Sequence, residues 1–344
     1  MKKLLPVQMP LAYAYQFYAY PLTILANHAK ATDWVLSHYV NVVYEHSWKT
    51  APVPFAFYTY DYSQSPWLET LRLNREWCTS TPGRTVDDYV REAIDRDFYV
   101  YLTLNFRYIP DRIAYDRAQD YPHDIMIYGV DDQDGTYSVL GFDHEIMYRS
   151  TRLPQDDLLT AYTSMGSDPY YDVPFTMYRY NDRGEYTFDL RFVADSIEEY
   201  LESHNCSAHY QSLRDPWWDR AYGMATYDVL QSYLDEYHAG SVEYDIRNLQ
   251  VLWEHKRMMV ARLARCAELV PPVGALVDPY KQVERQAWTL RTLMLAHAAG
   301  HKAGDFMTEA KPLLDGIRST EQRLLGRFVA CLDEASPSVG RRRP

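Results

Sequence analysis

The sequence predicts an α+β protein, with helices packed on an antiparallel sheet in its first half and a mostly helical second half. Three observations carry this. Phe98, Val100, Leu102, Leu104 and Phe106 alternate with Tyr99, Tyr101, Thr103 and Asn105, the period of a strand. Two more alternating runs, Ile125 to Tyr128 and Tyr137 to Phe142, flank the turn-forming residues 130–136 and read as a hairpin. Past residue 240, Val242, Ile246, Leu249, Trp253, Val260 and Leu263 fall at spacings of four and three interrupted by Lys256, the pattern of one long helix.

The elements follow in order. Leu22, Leu25, Trp34, Leu36, Val40 and Val43 predict an N-terminal helix between Tyr20 and Tyr44, broken near Lys30, with Asp33 as N-cap before Trp34. Val53 to Tyr62 reads as a strand, and Ser65 with Pro66 suits the cap and first turn of another helix. Thr85 and Asp88 have the capping-box spacing, so a short helix runs from about Val86 to Asp95. The strand over residues 98–106 follows, central in the sheet, then the hairpin, then a helix starting within Leu153 to Tyr162. Thr176 to Tyr180 and Tyr186 to Phe192 make a second hairpin around Asn181, Asp182, Arg183 and Gly184. Helices over 241–269, ended by Pro271 and Pro272, and over about 279–299 and 304–334 complete the chain. The domains expected are 1–165 (α+β), 166–195 (connecting hairpin), 196–335 (helical) and 336–344 (disordered tail).

Composition narrows the function. The 344 residues are 47% hydrophobic, enough for a sizeable core. A net charge of −12 opposes nucleic acid or an anionic membrane as main partner, and Arg341-Arg342-Arg343 is the only basic run. No apolar run is long enough to span a bilayer, and Pro6 interrupts Met1-Lys2-Lys3-Leu4-Leu5 before a signal-type core forms, so a cytoplasmic protein is expected. Cys78, Cys206, Cys266 and Cys331 are far apart and read as free thiols. His204, Cys206 and His209 lack a second pair of ligands, and His297 and His301 lack an acidic or sulfur partner, so neither a metal nor a cofactor is expected. The 32 tyrosines suit strands with one wet face or the wall of an organic-ligand pocket. Asp215 to Asp219, with two tryptophans, could anchor a partner or pack inside the fold.

The chemistry centres on the first hairpin. If Gly129 faces Tyr137, then Ile127 faces Val139, Ile125 faces Gly141 and His123 faces Asp143. Opposed side chains stand about 4.5–5.5 Å apart at Cβ, close enough for the carboxylate to fix the tautomer of the imidazole and raise its pKa. Asn105, on the neighbouring strand, is placed to stabilise an oxyanion.

The element order of the first half, with His123, Gly129, Val130, Asp131 and Asp143, resembles the papain-like cysteine peptidase superfamily. The nearest members are the bacteriocin-leader peptidases and the butirosin-biosynthesis acyltransferase N-terminal domain family, which carries a mostly helical C-terminal half. The resemblance implies a papain-like first domain and amide formation from an activated acyl thioester, in bacterial peptide-antibiotic assembly. It also implies an acyl or peptidyl carrier protein and a small amine or peptide as partners; a homodimer is compatible with it. His123, Asp143 and Asn105 would be catalytic, and Thr23, Tyr101 and Tyr121 would contact substrate. One position departs from the pattern: residues 20–28, where the family carries its nucleophile, contain no cysteine. Thr23 is the nearest hydroxyl and Cys78 lies outside that position, which leaves acyl transfer without a protein nucleophile, an inactive binding protein, or peptidase action through Cys78 or Thr23.

Overall fold

The computed structural model describes residues 1–59, 61–165, 174–209, 220–301 and 304–335. The chain is mixed α+β, with antiparallel sheets and a helical C-terminal region. It forms two compact units, Met1–Thr32 with Asp61–Tyr186, and Asp33–Tyr60 with Thr187–Pro344. The expected boundary at residue 165 adjoins residues 166–173; these, the tail 336–344 and the Asp215 to Asp219 anchor lie outside the described residues.

Elements are numbered along the whole chain. The first unit is built on a seven-stranded sheet of β1 (Lys2–Leu4), β4 (Leu68–Leu73), β5 (Tyr99–Asn105), β6 (Pro122–Asp131), β7 (Thr136–Phe142), β8 (Tyr148–Pro154) and β9 (Phe175–Tyr180). The order is β4-β9-β5-β6-β7-β8, with β1 paired to the far end of β6 and all neighbours antiparallel. β5 is therefore central, as its alternation predicts. Helices α1 (Gln16–Leu25), α3 (Arg75–Ser80), α4 (Val86–Asp95) and α5 (Gln155–Thr163) accompany the sheet. α4 starts on the expected capping box, Thr85 accepting from the Asp88 amide and Asp88 from the Thr85 amide.

Several expectations fail for local reasons. The N-terminal helix is broken near Lys30 as expected, but α1 starts earlier than Tyr20 and α2 (Thr32–His38) ends well before Tyr44, giving way to β2 (Val42–Glu45). The strand expected over Val53 to Tyr62 shortens to β3 (Phe55–Phe57). No helix starts at Ser65, because its hydroxyl accepts from the Trp67 amide at 3.2 Å in a turn that leads into β4. The second hairpin has one arm only: β9 pairs with β4 and β5, while Asp189 caps α6 (Leu190–Leu201) where the other arm was expected. Asp189 accepts from the Arg191 and Phe192 amides, and Val193, Ile197 and Tyr200 then bury one helical face.

The second unit combines the short sheet β10-β2-β3, where β10 is Arg220–Tyr222, with α2 and α6 to α10. The later helices are α7 (Thr226–His238), α8 (Ile246–Leu269), α9 (Gly274–Ala298) and α10 (Met307–Ala335). Arg262 on α8 is fully buried and donates to the Leu36 and Tyr39 carbonyls, both at 2.6 Å, closing the C-terminal end of α2. Lys256, which interrupts the apolar seam of α8, is buried too. Its ammonium donates to both Glu321 oxygens at 2.8 and 2.7 Å, to Tyr200 at 3.2 Å and to His255 Nδ1 at 3.0 Å. Glu321 also accepts from Tyr200, Tyr227 and Tyr280. His255 Nε2 donates to the Val40 carbonyl at 2.8 Å, so its Nδ1 is the acceptor and the ring is neutral.

Removing one partner strands a buried charge, whereas removing both does not. Lys256→Met alone is expected to lower the unfolding free energy by about 3–5 kcal/mol, and Lys256→Met with Glu321→Leu by clearly less, read by urea denaturation. Burial and the neighbouring Lys256 hold the His255 pKa well below its ordinary 6.5. The unfolded chain then takes up a proton below about pH 6.5 that the folded chain refuses, so stability falls on acidification through that region. His255→Gln should flatten this slope in denaturation curves recorded from pH 7.5 to 5.

Candidate functional site

The hairpin register is right in its middle and altered at both ends. Ile127 faces Val139 as expected, but an irregularity between Ile127 and Gly129 sets Gly129 opposite Ser138 and Val130 opposite Tyr137. Toward His123 the β6–β7 pairing stops at Met126 and Leu140. Side chains of α1 occupy the opening beyond. Gln16 Nε2 donates to the Asp124 carbonyl at 2.8 Å, and the Tyr20 hydroxyl reaches the Asp124 and Leu140 carbonyls at 3.3 and 3.2 Å. Gly141 is what admits them, since a Cβ there would stand 2.7 Å from Gln16 Nε2.

The expected pair of His123 and Asp143 is consequently not formed. The carboxylate on His123 belongs to the next residue, Asp124, whose Oδ1 lies 2.7 Å from Nδ1. Asp143 is buried and turned into its own loop, where Oδ1 accepts from the Glu145 and Met147 amides, both at 2.9 Å, and Oδ2 pairs with Arg149. Those amides and Arg149 hold its pKa below the ordinary value although burial opposes them.

Asn105 is not free to hold an oxyanion either. It is fully buried, donates to Asp120 at 2.9 Å and Ser164 at 3.2 Å, and accepts from the Arg107 and Tyr121 amides. Thr23 is buried within α1 against the Tyr148 hydroxyl at 3.1 Å, away from any helix start. Tyr121 meets the histidine, and Tyr101 meets the carboxylate bonded to it. The Tyr101 hydroxyl donates to Asp124 Oδ2 at 3.2 Å, and the exposed Tyr121 ring stacks on the imidazole at 6.0 Å. Cys78 is buried on α3, and burial pushes its thiol pKa up.

The resulting cluster is an imidazole packed against Phe106, at 5.1 Å, and Tyr121, whose rings also lie 6.4 Å from each other, with Asp124 bonded to the imidazole and Tyr101 bonded to Asp124. A carboxylate only accepts, so Nδ1 carries the proton in the neutral ring and the Nε2 lone pair is left without a partner among the described residues. The imidazole side chain is 37% exposed. Burial disfavours its charged form, but the hydrogen bond and charge of Asp124 outweigh this against Arg112, and its pKa is raised above 6.5.

Residue pairing by period two cannot find this partner, because neighbours on a strand point to opposite faces. Asp124, Phe106, Arg112, Gln16 and Tyr20 were all missed. An open depression of about 630 Å³ lies along the edge strand β4 instead, lined by residues between Asp61 and Arg72 and by none of the expected site residues. Its charges satisfy each other, Arg72 bonding Asp61 at 2.9 Å and Ser63 at 2.5 Å. Among the other candidates, His297 bonds Tyr237 at 3.2 Å, Cys206 joins a buried apolar cluster, and the His209 side chain lies outside the described residues. Among the described residues no group of three or more His, Cys, Asp or Glu is placed to hold a metal, and no helix is long and apolar enough to cross a membrane.

Comparison of the chain with protein-family models gives no match, and comparison with curated proteins gives none.

Asp124→Asn is expected to lower the His123 pKa, while Asp143→Asn leaves it in place; NMR titration of the His123 ring signals distinguishes the two. A raised pKa means that His123 contributes stability fully present below 6.5 and lost as pH rises through the folded value, and Asp124→Asn should remove that dependence.

Proposed function

We propose that the first unit is a papain-like acyltransferase domain that forms an amide from an activated acyl thioester without a protein nucleophile. The amine nitrogen attacks the thioester carbonyl, His123 Nε2 takes the amine proton, and the proton leaves with the departing thiol. The observation that carries this reading is the His123–Asp124 contact at 2.7 Å on a 37% exposed imidazole whose Nε2 has no partner among the described residues, an acid–base group held in one tautomer. Two further facts support direct attack by the amine. Residues 20–28 contain no cysteine, and the alternatives Thr23 and Cys78 are both buried, one bonded to Tyr148 and the other with a raised thiol pKa. The setting that goes with this reading is a cytoplasmic enzyme of bacterial specialised-metabolite assembly, with an acyl or peptidyl carrier protein as partner.

A second reading is a papain-like binding protein for a peptide or carrier protein. The observation that favours it is Asn105, whose amide is fully engaged and leaves no expected oxyanion donor at the site.

Incubation with an acyl thioester and a panel of amines separates the two. Amide formation by the wild type is expected to drop about 10²–10⁴-fold in His123→Ala. The rate should rise with pH through the raised His123 pKa, and this midpoint should move down in Asp124→Asn. Equal rates in wild type and His123→Ala would sink the acyl-transfer reading, and saturable ligand binding without turnover would favour the second.

A further inference from the structure

Arg112 is a buried cation of the first unit that lacks a contacting counter-ion. It is 2% exposed, and a charge held out of water is costly unless it is paired. Its contacts are neutral: Nη1 donates to the Phe142 carbonyl at 2.7 Å, Nη2 donates to Thr151 Oγ1 at 2.8 Å, and the guanidinium lies 5.5 Å from the centre of the Phe106 ring. Nε has no partner among the described residues. Asp143 and Asp111 act on it electrostatically with no ion pair to either among the described residues, and Asp143 is committed to Glu145, Met147 and Arg149.

Its location gives the missing charge a meaning. Phe106 has Arg112 near it and also stacks on His123, so a cation without a contacting counter-ion and the imidazole share one aromatic ring. The charge of Arg112 reaches the imidazole and partly offsets that of Asp124. Buried one ring away from a histidine whose side chain is 37% exposed, such a charge is weakly screened.

We propose that the His123 end of the sheet binds an oxyanion group of the substrate, a carboxylate or a phosphate, with Arg112 supplying the countercharge through space from its buried position. This rests on the reading of His123 as the substrate-facing group of the site. Arg112 acts through space, and the imidazolium adds to it once His123 is protonated. Binding therefore tightens as pH falls through the His123 titration, and a bound anion raises the pH at which that titration occurs.

The test is NMR titration of the His123 ring signals in the full chain with acetate and, separately, inorganic phosphate, at one pH on each side of the titration. Wild type is expected to show a saturable shift, stronger at the lower pH, and the tighter of the two probes identifies the group as planar carboxylate or tetrahedral phosphate. Arg112→Gln should bind about tenfold more weakly, with Arg112→Lys between the two. No saturable shift in wild type with either anion overturns the proposal, whatever the variants do. Undiminished binding in a folded Arg112→Gln, judged by its thermal midpoint, overturns it as well. Anion binding by a protein that forms no amide would leave this inference standing and remove the acyl-transfer reading. Amide formation by a protein that binds neither probe would do the reverse.

Discussion

Four hydrogen bonds converge on Asp124, and the arrangement of the site depends on them. Its carbonyl accepts from Gln16 and Tyr20, and its carboxylate takes His123 on one oxygen and Tyr101 on the other. The first pair replaces the strand pairing that β7 would have supplied beyond Met126, so the backbone is satisfied although the ladder has ended. The second pair sets the direction of the imidazole. One residue thereby links α1, β5 and β6, and the tyrosine layer follows from it. Tyr20 packs edge-on against Tyr101 at 5.2 Å, and Tyr101 stacks on Tyr178 at 6.3 Å. Burial drives the pKa of the Tyr20 and Tyr101 hydroxyls well up, so both remain protonated donors.

Buried charge is met in two ways, by a counter-ion, as at Lys256 with Glu321 and Asp143 with Arg149, or by neutral acceptors, as at Arg262 and Arg112. In the second unit, Lys256 and Glu321 meet directly, and three tyrosines and a neutral histidine take up the remaining hydrogen-bonding capacity. Every group there has a partner, and the network reads as architecture; its worth lies in holding α6, α7, α8, α9 and α10 in one arrangement. In the first unit, Arg112 has neutral acceptors. Arg262 donates from all three of its nitrogens, whereas Arg112 leaves Nε bare and shares the Phe106 ring with His123.

The sequence was readable wherever one local signal acted alone. Thr85 and Asp88 announced α4 to the residue, the alternation about Leu102 announced β5, and Asp245 opens the helix expected after residue 240. It misled where a local signal had two uses. Ser65 followed by Pro66 looks like a helix start and makes a turn; Tyr186 to Phe192 alternates like a strand, yet Asp189 starts a helix within it. β8 is not marked by apolar alternation because it is an edge strand whose Arg149, Ser150 and Arg152 are all exposed. At the candidate site, the strand that carries His123 was legible and the carboxylate that His123 meets was not. The strand period excludes a neighbour, and nothing in the sequence of β6 shows that two side chains from α1 would open the ladder beside it.

Asp143 keeps a role even though it is not the partner of His123. Its carboxylate holds the turn from Asp143 to Met147, in which Ile146 adopts φ of 60°, a left-handed conformation that a β-branched residue takes only under constraint and at a cost of about 1–3 kcal/mol. That strain persists because the surrounding bonds over-determine the turn: Ile146 N–H to the Asp143 carbonyl at 3.0 Å, Asp143 N–H to the Met147 carbonyl at 3.1 Å, and His144 N–H to the Asp111 carbonyl at 2.8 Å. The last of these ties the turn to the loop that carries Arg112, while the adjoining Phe142 carbonyl receives the guanidinium itself. Asp143 thus acts on the site at one remove, by fixing the backbone that places the cation, and its carboxylate does so without contacting the imidazole.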